Sequence, residues 1–102
     1  MKALIVKVYG VVQGVGFRPF VYRIANKFGI SGFVRNESWG VRIFAQGEDE
    51  KIRNFLKSLL DEHPKAAVIE SIETEETEPR KGVNSFVIEK SATADTIGLM
   101  PP

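Results

Sequence analysis

The sequence predicts an α+β fold: an antiparallel sheet of four to five strands with two helices on one face, the split βαβ or ferredoxin-like arrangement. Two observations carry this. Apolar residues recur at helical spacing in two segments, Phe17 to Phe28 and Ile52 to Leu60, while the runs between and around them are short and rich in Val, Ile and Phe. Read along the chain, the order is strand, helix, strand, strand, helix, strand, with one extra strand. A chain of 102 residues with 43% hydrophobic and 26% charged residues suits a single soluble core.

Lys2 to Tyr9 is apolar and β-branched and stops at Gly10, so it reads as a buried strand. Phe17, Phe20, Val21, Ile24, Ala25 and Phe28 then form one helical stripe that Gly29 ends, and these aromatics are assigned to the core. Ser31 to Asn36 and Val41 to Gln46 are the arms of a hairpin around Glu37-Ser38-Trp39-Gly40, with Val41, Ile43 and Ala45 on one face. Trp39 is expected to cover the edge of the core. Glu48, Asp49 and Glu50 supply a negative first turn to a second helix with the stripe Ile52, Phe55, Leu56, Leu59 and Leu60. His63 and Pro64 close it, His63 as a cap or a solvated residue. Ala66 to Thr77 is a fourth strand whose glutamates discourage edge pairing, with a bulge allowed by the adjacent Val68 and Ile69. Ser85 to Glu89 is a last short strand with Phe86 and Ile88 facing in.

Several function classes are excluded by composition. Net charge is +1, which gives no field for nucleic acid. The chain has no cysteine and one histidine, so no thiol chemistry, metal site or cofactor is expected. No apolar run reaches membrane-spanning length and no cleavage site follows Met1-Lys2, so a cytoplasmic protein is expected.

The chemistry falls on Val12-Gln13-Gly14-Val15-Gly16-Phe17-Arg18-Pro19-Phe20, between the first strand and the first helix. Two glycines one residue apart let successive N–H groups from Gln13 through Arg18 point into one concavity at a helix N-terminus. Arg18 adds a permanent planar charge suited to phosphate oxygens, and Pro19 has no N–H to leave unused. The structural alternative is a tight turn with a solvated arginine. The glycine intervals fit neither a dinucleotide fingerprint nor a Walker loop.

Taken whole, Gln13-Gly14-Val15-Gly16-Phe17-Arg18 resembles the signature loop of the acylphosphatase family. With Pro19-Phe20-Val21-Tyr22 attached, it is most similar to the N-terminal acylphosphatase-like domain of the carbamoyltransferase that matures nickel–iron hydrogenases, from about Leu4 to Glu89. The resemblance implies that Arg18 and Asn36 are catalytic and that Gln13, Gly14, Val15, Gly16, Phe17 and Arg18 bind phosphate; taken alone, Asn36 reads equally as a turn residue at a strand end. The implied reaction is metal-independent hydrolysis of an acyl phosphate, carbamoyl phosphate in the subfamily favoured, with inorganic phosphate as product. Glu37 departs from the family pattern and is expected to face solvent, since an inward carboxylate would repel phosphate.

Residues 1–90 form the domain. Ser91 to Pro102 is polar, free of aromatics and ends in two prolines, a frayed tail or a linker toward a zinc-binding region and further domains of a larger parent. A free-standing acylphosphatase remains open, as does a non-catalytic ferredoxin-like module that binds phosphate or another ligand. An RNA-recognition sheet would need more than Tyr9 and Phe44 as platform aromatics.

Overall fold

Alternation along the central strands decides which side of the sheet the helices cover. In the computed structural model, which describes residues 1–90, the elements are β1 (Lys2–Val11), α1 (Phe17–Lys27), β2 (Ser31–Glu37), β3 (Gly40–Gly47), α2 (Asp49–Asp61), β4 (Val68–Thr77) and β5 (Phe86–Ile88). Leu4, Val6 and Val8 of β1 share a face with Val41, Ile43 and Ala45 of β3 and Val34 of β2. The stripes of α1 (Phe17, Phe20, Val21, Ile24, Ala25) and α2 (Ile52, Phe55, Leu59) bury against that face. Each Val, Leu, Ile or Phe among them contributes about 1.5–3 kcal/mol when fully buried.

The strand order is β4-β1-β3-β2-β5. The four long strands pair antiparallel, as the hairpin and the split βαβ order require, but β5 pairs parallel with β2. The sheet is therefore mixed at one edge rather than wholly antiparallel, because the chain crosses from β4 on one edge to the far edge before returning. β1 also runs two residues past Tyr9. Gly10 and Val11 pair with Ile69 and Val68, while Tyr9 pairs with Ser71, so Glu70 is left over as the bulge that the adjacent apolar pair allowed.

Other details differ from the pattern-based expectation. Leu60 is 54% exposed and Ser58 is buried in its place, because the α2 face centred on Ile52, Phe55 and Leu59 turns Leu60 outward. Ile88 is 44% exposed, so β5 anchors through Phe86 alone. The C-cap of α2 is Glu62, and the ring of His63 instead meets the carbonyl of Pro64 through Nδ1. Residues 91–102, where the tail or linker was placed, lie outside the described residues.

The face without helices is partly roofed. Arg80 N–H donates to Gln46 Oε1 at 2.6 Å and Gln46 Nε2 donates back to the Arg80 carbonyl, seating the Arg80 guanidinium over Phe44. Phe44 is consequently fully buried. Trp39 leans on Tyr9 on this face, under Lys7 and Arg42, and does not cover the core edge as expected.

Candidate active site

The β1–α1 loop is fastened at both ends and open between. Val12 and Phe17 are buried and Val15 packs on the core, whereas Gly14 and Gly16 are exposed. Gly14 (φ 72°) and Gly16 (φ 78°) both sit in the left-handed region, and a Cβ on either would meet nothing within 4 Å. Backbone conformation therefore demands glycine here, while the space above the loop stays open.

Gly16 is the N-cap of α1, so no side chain caps the helix, and its first turn contains no acidic residue. The first helical bond runs from Phe20 N–H to the Gly16 carbonyl. Among the described residues, the N–H groups of Gly14 through Arg18 donate to no other backbone group. Uncapped donors and the positive end of a helix dipole make a place for an anion.

Arg18 in this first turn is half-buried, and its Nη1 donates to the carbonyl of Glu89 at 3.2 Å. Glu89 N–H in turn donates to the Val34 carbonyl at 2.8 Å. On the other side, Gln13 Nε2 donates to the carbonyls of Glu37 and Gly40, at 2.6 and 2.8 Å. Both sides of the loop are thus tied to β2 and its turn, at Val34 and at Glu37, and Asn36 lies between those two points. Asn36 is on the helix-covered face, 9% exposed, and its Oδ1 is buried with no hydrogen-bond partner among the described residues. Leaving such an acceptor unpaired costs about 1–3 kcal/mol unless something else donates to it.

Glu37 points to the opposite face, as alternation along a strand requires. It does not face bulk solvent: its side chain is 14% exposed, and Oε2 accepts from Arg35 Nε and Arg42 Nε, both at 2.9 Å. Burial pushes its carboxyl up, but the two arginine hydrogen bonds outweigh that and hold it below the ordinary range. The carboxylate is neutralised away from the loop, which removes the repulsion it posed for an anion.

Of the residues singled out from the sequence, Gln13 and Arg18 tie the loop to the hairpin turn and, through Glu89, to β2, on either side of Asn36. The Gln13 side chain is turned toward the hairpin, leaving only its backbone for the loop interior. Two partners were missed: the Glu89 carbonyl that holds Arg18, and the side-chain link from Gln13. No local pattern signals either, since they span 71 and 24 residues.

The family model for acylphosphatase matches residues 4–88. An acylphosphatase of Thermotoga petrophila is 44% identical over 89 residues, covering 86% of this chain and 97% of that protein. A probable carbamoyltransferase HypF of Methanocaldococcus jannaschii is also 44% identical, over 87% of this chain but 12% of its own length. Among solved structures, full-length HypF in a phosphate- and nucleotide-bound form superposes with TM-score 0.83 at 38% identity, over 89% of this chain and 12% of that one. The acylphosphatase of Bacillus subtilis superposes with TM-score 0.82 at 30% identity, over 87% and 99%. The chain thus spans nearly the whole of one kind of relative and about an eighth of the other.

Proposed function

We propose that this chain, which belongs to the acylphosphatase family, hydrolyses acyl phosphates to a carboxylate and inorganic phosphate at the β1–α1 loop. The observation that carries this reading is that, among the described residues, Asn36 Oδ1 is buried with no hydrogen-bond partner, and the loop tied to the chain on either side of it has N–H groups unpaired with backbone. One element wants an anion and the other wants a donor, and a phosphoryl group with an attacking water supplies both.

In this mechanism the N–H groups of Gly14 to Arg18 and the Arg18 guanidinium hold the phosphoryl oxygens and stay aligned as charge redistributes. Asn36 Oδ1 accepts a hydrogen bond from a water and holds it in line with phosphorus. The water oxygen bonds to phosphorus, and the P–O bond to the acyl group breaks with its electron pair leaving on the carboxylate. The proton lost by the water ends on a phosphate oxygen, so R–CO–OPO₃²⁻ and water give R–COO⁻ and H₂PO₄⁻. A carboxylate leaving group with a pKa of about 4 needs no acid to assist it. This accounts for a site built from arginine, asparagine and backbone.

The substrate we favour is carbamoyl phosphate, which would yield carbamate. The Pro19-Phe20-Val21-Tyr22 continuation of the loop and the similarity to HypF support it; in that case the chain acts as a domain of a hydrogenase-maturation carbamoyltransferase. Phosphate release from carbamoyl phosphate and acetyl phosphate, measured with a chelator present, tests both levels. Hydrolysis of either supports the activity, and a kcat/KM preference for carbamoyl phosphate supports the carbamoyltransferase origin. No release above background from either substrate would leave a phosphate-binding module instead.

A further inference from the structure

We propose that Gln13 is a positioning residue whose side chain sets the separation between the phosphate loop and Asn36; this rests on the reading of the site given above. The loop and the hairpin turn come from distant parts of the chain, and the last β1–β3 pair is Val8 with Val41. Beyond it, a cleft of about 250 Å³ opens between the end of β1 and the turn, lined by Gly10, Val11, Ser38 and Trp39 among others. The Gln13 carboxamide spans from the loop to the turn.

Three features mark the link as specific. Both acceptors are backbone carbonyls, so only the NH₂ end of the amide can face them, and its two hydrogens are used on two partners. Gln13 is exposed, so packing gives it no reason to adopt this one conformation. One acceptor belongs to Glu37, whose carboxylate is already held by Arg35 and Arg42 on the other face. Glu37 is therefore fixed at carbonyl and carboxylate alike, and the residue immediately before it is Asn36. On the loop side, Gln13 directly precedes the first left-handed glycine. Losing the link leaves both reacting partners in place but lets their separation vary, and misplacement of about 1 Å can cost a hundredfold in rate.

The test compares wild type, Gln13→Ala and Gln13→Met, the last keeping the length of the side chain without charge and without either donor. Three quantities are read: kcat and KM with acetyl phosphate, the dissociation constant for inorganic phosphate, and the NMR signals of the Asn36 side-chain amide. Both variants should lose about tenfold to a hundredfold in kcat, with phosphate affinity within about twofold of wild type and the melting temperature nearly unchanged. The Asn36 amide signals should shift or broaden in both. Unmoved Asn36 signals, a Gln13→Met variant that matches wild type, or kcat loss only in step with lost phosphate affinity would each overturn the proposal. If wild type itself hydrolyses no acyl phosphate, the assigned activity fails, and the Asn36 signals still decide whether Gln13 positions that residue.

Discussion

The two helices begin in opposite ways, and the contrast underlies the placement of the proposed anion site. α2 starts from Glu48 in extended conformation and carries Asp49 and Glu50 in its first turn. Asp49 is further paired with Lys2 and Arg53, and the Lys2 hydrogen bond and charge hold its carboxyl below the ordinary range. That N-terminus supplies its own counter-charge. α1 starts from a left-handed glycine, has no acid in its first turn and adds the cation of Arg18. Both helices carry an apolar stripe into the same core, so folding alone does not explain the difference. An uncompensated positive helix end is a cost in the free protein and an advantage once an anion arrives.

The largest effect should come from removing the two side chains assigned to the site at the α1 end. Arg18→Ala and Asn36→Ala are each expected to lower kcat/KM for acyl phosphate hydrolysis by about a hundredfold or more, the usual cost of losing one preorganised group, in phosphate-release assays. Circular dichroism should show both variants folded. Giving α1 the acid that α2 has comes next. Pro19→Glu should weaken phosphate binding about tenfold by isothermal titration while leaving the melting temperature level or raised.

A smaller effect concerns the far side of β2. The Glu37 carboxyl is depressed in the folded protein, so its contribution is complete above its unfolded value of about 4.3 and is lost as pH falls through the folded value. Glu37→Gln should therefore cost about 1 kcal/mol at neutral pH, and the gap to wild type should close in acid, read by urea unfolding across pH. Asp49→Asn should do least, lowering the melting temperature slightly and leaving hydrolysis unchanged. A loss of activity there would erase the contrast between the two helix ends.

The parts of this design that are local in the chain could be read from it. The α1 stripe, the two loop glycines and the acids opening α2 each act over a few residues, so spacing alone exposes them. Their placement followed because the split βαβ order leaves few topologies. What escaped was set by contacts between distant segments. The parallel pairing of β5 depends on where the chain goes after β4, and the exposure of Ile88 on how little of that strand reaches the core. Glu37 is the exception: its partners are near in the chain, Arg35 two residues before it and Arg42 five after it, but spacing does not state that both guanidinium groups turn onto one carboxylate. The Gln13 link belongs with the distant contacts: a glutamine in a glycine loop reads as part of the loop until the hairpin is brought beside it.

The most direct measurement is a titration of the ¹⁵N-labelled protein with inorganic phosphate, following backbone amides at both helix starts and the Asn36 side chain. The amides of Gly14 to Arg18 and the Asn36 carboxamide should shift together with one dissociation constant, while those of Asp49 to Lys51 stay still. Equal shifts at both helix starts, or none at the loop, would contradict the assignment of the α1 N-terminus as the phosphoryl site.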